Sequence, residues 1–219
     1  MKKLVMIILA SALCAGAPAY ATPSIEFSPG GTTTGGWNYD GAGTLSFDQY
    51  IAVDSGMAGN ADALVGASVF IPTLTVGEGP IGVYEVKPLG SSVLTVRSED
   101  FSTVYLKATL NPGDLVPIGT VGGLYTSFTS DLTDVVVTAE GKALGSAVLS
   151  AIANSGLTTL DFEISLQGAS GTNYHSLSEM LAGGFTGGNG FSGAMTIPEP
   201  TTIAMLALGS LAMWRRRKA

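Results

Sequence analysis

The sequence predicts a mainly β fold: an antiparallel β-sandwich or jelly-roll-like ectodomain with one or two short helices, followed by a C-terminal transmembrane helix. Three observations predict it. Short runs between residues 22 and 197 alternate apolar with polar side chains, the period of a half-buried strand. Clusters of Gly, Pro, Asn and Asp punctuate those runs at fairly regular intervals. The composition is Gly-rich (30 of 219 residues) and only 12% charged, where a soluble domain averages about 25%, yet it is apolar enough to fold.

Taken in order, the Gly/Thr cluster at 30–36 reads as a loop. Residues 45–53 alternate, with Tyr50 on the polar face, and further runs follow at 67–76, 82–87 and 92–97. In 102–110, Val104, Leu106, Ala108 and Leu110 share one face and Thr103, Tyr105, Lys107 and Thr109 the other. Two more runs, 124–129 and 134–139, flank a turn signal at Asp131. Residues 142–154 change period: Leu144, Ala147, Val148, Ala151 and Ile152 recur at helical spacing, which predicts a crossover helix. Residues 160–167 are strictly period two, with Leu160, Phe162, Ile164 and Leu166 inward. Ser176 and Glu179 have capping-box spacing, and Gly183-Gly184 stops that short helix. The Gly-rich stretch 183–193 reads either as a last loop-and-strand pair or as a stalk to a membrane. Further turns are expected at Gly56, 77–80, 88–90 and 111–114.

Charge separates the ends from the body. Residues 22–197 hold 16 of the 17 acids against four cations, Lys87, Arg97, Lys107 and Lys142, a net −12, while the whole chain is −7. With nothing to neutralise phosphates, such a body excludes nucleic-acid binding. A body of this length suits one domain with a real core.

At the N-terminus, Lys2 and Lys3 precede an apolar stretch, and Ala19 and Ala21 stand at −3 and −1 of a signal-peptidase site. Cleavage is expected after Ala21. The apolar stretch falls short of the roughly 20 residues needed to span a bilayer, which disfavours an uncleaved anchor. Leu13 before Cys14 disfavours a lipoprotein. Loss of Cys14, the single cysteine, leaves a mature chain without disulfide or thiolate chemistry. At the C-terminus, Pro198, Glu199 and Pro200 precede the uncharged, apolar residues 203–214, and Arg215, Arg216, Arg217 and Lys218 follow. Residues 198–214 make about 25 Å of helix, slightly short of a ~30 Å hydrocarbon core. Trp214 and snorkelling arginines close that gap. The four cations hold this terminus in the cytoplasm, which places the body across the membrane.

This C-terminal pattern resembles a PEP-CTERM sorting domain. Pro198, Glu199 and Pro200 match its signature, 203–214 its transmembrane helix, and Arg215–Arg217 its basic tail, about a tenth of the chain in all. The resemblance implies recognition by exosortase, a transpeptidase-like enzyme of the inner membrane in Gram-negative bacteria that make exopolysaccharide. It also implies removal of the tail, with the body released or attached at the cell exterior. The alternative is a plain single-pass anchor that nothing cuts. The expected organisation is therefore a signal peptide at 1–21, an extracytoplasmic domain at 22–197 and a sorting segment at 198–219.

The body offers little for catalysis. His175 is the single histidine, there is no Gly-x-Ser-x-Gly elbow, and a transition-metal site wants two or more His or Cys ligands. Asp161 and Glu163 project from one strand face about 7 Å apart, a spacing that would serve a glycoside hydrolase; the plainer reading is a solvated sheet surface. Asp40, Asp48, Asp54, Asn60 and Asp62 offer oxygen ligands for a weak Ca²⁺ site, or are simply dispersed surface acids. No other cofactor is expected. Trp37, Tyr39 and Tyr50, with Tyr105 and Tyr174 beyond them, are candidate ligand-facing aromatics for extracellular polysaccharide; for Trp37 the alternative is packing at one end of the sandwich. The expectation is an exported, non-enzymatic protein of the cell surface or the exopolysaccharide matrix of a biofilm. Its partners would be signal peptidase, exosortase and the inner membrane. A carbohydrate-binding or adhesin module is the first alternative and would show a row of exposed aromatics. A carboxylate-based hydrolase is the second and would show an acid-bearing cleft.

Overall fold

The computed structural model describes residues 22–30, 36–49, 51–79, 83–118, 125–167, 179, 181, 188 and 190–198. In chain order the strands are β1 (Ser24–Pro29), β2 (Trp37–Tyr39), β3 (Thr44–Phe47), β4 (Ile51–Ser55), β5 (Ser68–Phe70), β6 (Leu74–Glu78), β7 (Tyr84–Pro88), β8 (Val93–Arg97), β9 (Val104–Leu110), β10 (Gly113–Ile118), β11 (Tyr125–Val137), β12 (Leu160–Gln167) and β13 (Phe191–Thr196). Between β11 and β12 lie α1 (Ala139–Ala143) and α2 (Ala147–Ser155).

Eight strands form a ring in the order β12-β13-β1-β4-β5-β8-β9-β11, and β11 returns to β12. The expected sandwich or jelly roll is therefore a closed antiparallel barrel. The reason lies in β12. Its residues pair one by one with Leu132 back to Tyr125 of β11 on one edge. On the other edge, Asp161 to Leu166 pair with Thr196 back to Phe191. Both edges are occupied, so neither is left for an open sheet. Period-two alternation is common to both architectures and cannot tell them apart.

The remaining five strands branch from the barrel as a flap, β10-β7-β6-β3-β2. The branch arises because β9 and β10 are two halves of one bent strand. Leu110 sits opposite Leu132 and Asp114 opposite Thr129, both on the same edge of β11. The bend falls at Asn111-Pro112, where the Asn111 N–H reaches the Asp131 carbonyl (3.1 Å) and proline has no N–H to extend the ladder. Before the bend the strand pairs with β8; beyond it, with β7. The flap then curls back, so that Trp37 Nε1 donates to the Gln167 carbonyl at 3.0 Å. Phe47 meets Phe191 edge-on with centroids 5.5 Å apart.

Barrel and flap share one core. Phe191, Phe27, Phe162 and Phe128 continue the aromatic series from Phe47 through the barrel, with centroid separations of 6.0–6.4 Å. These are the offset and edge-to-face spacings that aromatic quadrupoles favour. Gly193 makes the series possible: a Cβ there would run into the Phe27 ring.

Several segmentations change. The run 45–53 divides into β3 and β4 at Asp48-Gln49, where the chain crosses from flap to barrel. The run 67–76 divides at Ile71-Pro72-Thr73, where it crosses back. Conversely, 124–129 and 134–139 join in β11, and Asp131 lies mid-strand. The irregularity sits instead at Asp134 (φ 51°), within a bulge after Thr133. Asp tolerates this left-handed conformation better than most residues. The predicted helix 142–154 is two helices. Thr138 Oγ1 accepts from the Gly141 N–H to start α1. Gly145 (φ 79°) breaks the path, and Ser146 Oγ accepts from the Leu149 N–H to start α2. Gly156, left-handed at φ 68°, ends α2. The helix expected after Ser176 is described only at Glu179 and Leu181, both helical.

The alternative left open for 183–193 also closes in part: Phe191–Thr196 is an interior barrel strand between β1 and β12. β1, β2 and β10 were not expected as strands. Among the described residues no helix is long and apolar enough to cross a membrane; the predicted transmembrane residues 203–214 lie outside them.

Candidate functional site

Two features gather the residues singled out by the sequence. The first is a groove of ≈580 Å³ on the outer face of the barrel, beside the bend between β9 and β10. Strand register builds it. Glu85 of β7, Asp114 of β10, Thr129 of β11, Glu163 of β12 and Ala194 of β13 stand opposite one another in one transverse row. Asp131 and Asp161 stand opposite each other in the next, with Thr196 beyond. Adjacent strands are about 4.8 Å apart, so five carboxylates share this face.

Gly113 permits the tight turn of the row, since a Cβ there would strike the Thr129 carbonyl. Only part of the charge is answered. Lys87 Nζ lies 2.8 Å from Glu85, and Ser127 Oγ donates to Glu163 Oε1 at 3.1 Å. Burial pushes the Asp161 carboxyl above its ordinary range, and the facing Asp131 adds to that shift. Like charges directly opposite on neighbouring strands destabilise a sheet.

The groove thus brings Asp161 and Glu163 into a concavity, as a hydrolase would need, and adds Glu85, Asp114 and Asp131. Sequence reasoning missed those three because only strand pairing, never spacing along the chain, puts them beside β12. Among the described residues, no Trp or Tyr lines the groove.

Two of the candidate sugar-facing aromatics are buried. Trp37 and Tyr39 are each only 3% exposed and belong to the core. β2 points both side chains to the inner face of the flap, and burial pushes the Tyr39 hydroxyl above its ordinary value. Tyr105 is half-buried against the core. Tyr50, Tyr174 and His175 lie outside the described residues.

The calcium candidates are not brought together: among the described residues, no three acid, His or Cys side chains converge to hold a metal. Three of the five are spent on backbone donors. Asp40 Oδ1 accepts from the N–H groups of Ala42 (2.7 Å) and Thr44 (2.9 Å), closing the β2–β3 turn. Asp48 Oδ1 accepts from the Gln49 N–H (2.6 Å). Asp62, 5% exposed, accepts from the Leu64 N–H at 3.0 Å and from the Val148 N–H at 3.1 Å. Its carboxylate thereby ties the loop after β4 to the first turn of α2. Asp54 and Asn60 are exposed at separate points.

The second feature is the exit of the sorting segment. The Ile197 N–H bonds the Pro23 carbonyl (3.2 Å), and Ser24 faces Thr196, so both ends of residues 22–198 meet at one end of the barrel. Ile197 is buried and Pro198 half-buried. Ala19 and Ala21 of the expected signal-peptidase site lie outside the described residues, as do Glu199, Pro200 and the basic residues Arg215, Arg216, Arg217 and Lys218.

Comparison with known proteins bears on this second feature alone. Residues 196–218 match the PEP-CTERM protein-sorting motif, as the resemblance implied. No curated protein and no solved structure matches the chain. The motif marks an exported protein with a membrane-anchored precursor processed by exosortase.

Proposed function

We propose that this exosortase substrate delivers a non-enzymatic barrel to the cell surface or to the exopolysaccharide matrix, where its role is structural or interactive. One observation carries the reading: the sorting motif begins at the residue where barrel closure ends. Thr196 is the last residue of β13 and the first matched by the motif. Any cut beyond Pro198 therefore leaves every barrel strand in place. The protein is built to be separated from its tail.

Intact mass and C-terminal peptide mapping of membrane and extracellular fractions from the producer test this. The expected product begins at Thr22, ends within a few residues of Pro198 and is found outside the cell. A chain ending at Ala219 in the membrane fraction alone would overturn it.

The acid-lined groove favours a second reading, a carboxylate hydrolase with Asp161 as proton donor and Glu163 as base. Their separation of about 7 Å along the strand lies in the inverting range. Turnover of the producer's exopolysaccharide, lost on Asp161→Asn, would support it. The burial of Trp37 and Tyr39 removes two rings from the exposed platform that an adhesin would present.

A further inference from the structure

The outer wall of the barrel across β5, β8, β9 and β11 departs from the rest of this acidic body. Register sets Phe70 opposite Thr95, Thr95 opposite Lys107 and Lys107 opposite Val136, one transverse row on the outer face. Phe70 and Val136 are exposed, as is Val93 in the adjoining row. Arg97 Nε donates to Thr95 Oγ1 at 2.7 Å, and its guanidinium stands 5.2 Å from the centroid of the Phe70 ring. The cation is thereby held across the row. Arg97 and Lys107 are two of only four cations in residues 22–197, yet among the described residues neither forms an ion pair. Acids border the row without pairing with them. Asp134 accepts from Thr109 Oγ1 at 3.3 Å and Asp100 from the Ser102 hydroxyl at 2.9 Å. Glu99 and Glu140 lie past the ends of β8 and β11.

We infer that this wall docks into the acid-lined groove of a second copy of the chain, so that barrels associate head to tail. The inference deepens the structural role proposed above and rests on it. Charge is complementary: two unpaired cations on the wall face five carboxylates, of which only Glu85 has an ion-pair partner among the described residues. A cation set between Asp131 and Asp161 would relieve the opposition of like charges across β11 and β12. Shape agrees as well, since the wall of a closed barrel is convex and the groove concave. The row from Phe70 to Val136 crosses four strands, about 14 Å, and the groove's row from Glu85 to Ala194 crosses five, about 19 Å. Val116, exposed on the same face of β10 as Asp114, gives the groove an apolar margin for the wall's apolar side chains.

Wall and groove are different surfaces of one barrel, joined along β11: Thr129 and Asp131 line the groove, and Val136 stands on the wall. A contact between unlike surfaces leaves one of each free, so it continues into a ring or an open chain instead of stopping at two. Net charge opposes the approach, because each body carries −12. At physiological salt the Debye length is about 8 Å, shorter than the row itself. Whole-body repulsion is therefore largely screened, whereas pairs in contact are screened much less.

Two charge reversals at exposed positions separate the surfaces: Lys107→Glu on the wall and Asp114→Lys in the groove. Sedimentation equilibrium of the processed protein from outside the producer's cells reads the mass against concentration. The wild type should grow beyond a dimer, and each reversal alone should weaken association about tenfold or more. Mixed in equal amounts, the two variants should associate again, since Lys107→Glu keeps the native groove and Asp114→Lys the native wall. Lys107→Gln and Asp114→Asn should act in the same direction but less, and they keep the test decisive should a reversal unfold the barrel. A wild type that stays monomeric at about 1 mM would overturn the inference, including one whose wall instead retains polygalacturonate. So would association that survives either reversal, or folded variants that stay apart when mixed. Recovery of the chain only uncut in the membrane would overturn the sorting reading alone, and the same mixing test then decides the inference on that chain in detergent.

Discussion

Asp62 offers the sharpest test of how the loop after β4 is held. Its buried carboxylate accepts from the N–H groups of Leu64 and Val148 and from the Ser146 hydroxyl, and it packs over Gly56, where a Cβ would stand 2.8 Å from Asp62 Cβ. Asp62→Ala removes the acceptor and leaves two backbone donors buried. A hydrogen bond to a charged group contributes about 1.5–3 kcal/mol, so two shared losses, partly relieved by water, should cost about 3–4 kcal/mol. At roughly 2–4 °C per kcal/mol for a domain of this size, Tm should fall by about 6–16 °C. Asp62→Asn keeps one acceptor and should cost about half as much.

The pH dependence adds a second handle. Burial works to raise the Asp62 carboxyl, but the bonds from Ser146, Leu64 and Val148 outweigh it and leave it below the ordinary range. For an acid depressed in the folded state, the stabilisation is present above the unfolded value near 4 and is lost as pH falls through the folded one. Urea denaturation of the processed protein and of Asp62→Asn should show a gap at pH 7 that narrows in strong acid. Equal stabilities at pH 7, or a gap unchanged on acidification, would refute the reasoning.

Gly193→Ala drives a methyl group into Phe27 at the middle of the barrel and should cost about 1–3 kcal/mol or more by overpacking, read in the same urea titration; a neutral effect would contradict the close approach of β13 to β1. Trp37 is the only tryptophan outside the sorting segment, so the processed protein should fluoresce at blue-shifted wavelength, resist collisional quenching and shift red on unfolding. Solvent-exposed emission from the native protein would contradict its burial. Asp161→Asn relieves the opposition to Asp131 and should stabilise the barrel at neutral pH by roughly 0.2–1 kcal/mol. In the wild type, the Asp161 carboxyl is raised in the folded state, so its penalty at neutral pH should fade as pH drops through that raised value. A destabilised Asp161→Asn would show instead that the carboxylate is held by a favourable partner.

Local pattern was legible where it depended on neighbours in the chain. Residues 160–167 alternate strictly and are β12 from end to end, with the even-numbered side chains buried. The helical period after Lys142 was also real, but Gly145 and the Ser146 cap divided it, and both signals stood in the sequence. The breaks inside 45–53 and 67–76 were harder to see. There the alternation continues while the strand changes partners from flap to barrel or back, and partner identity has no local signature. β13 was left as one of two alternatives because Gly193 and Ala194 blur its alternation, and the requirement for Gly193 comes from Phe27, far away in the chain.

The candidate site divides in the same way. Sorting was legible in the sequence itself: the Pro198-Glu199-Pro200 signature and the basic tail form one contiguous peptide within the matched motif, and the expected signal-peptidase site at Ala19 and Ala21 is another at the other end, so no folding is needed to present their chemistry. Tertiary structure alone decided whether the alternating strands closed into a barrel, since closure depends on β12 finding partners on both edges. It alone buried Trp37 and Tyr39, spent Asp62 on a helix N-terminus and set Glu85, Asp114 and Asp131 beside Asp161 and Glu163. It also alone placed Pro23 and Ile197, near the two ends of the described domain, side by side. Each of these outcomes is a contact between residues remote in sequence, fixed by strand register and core packing.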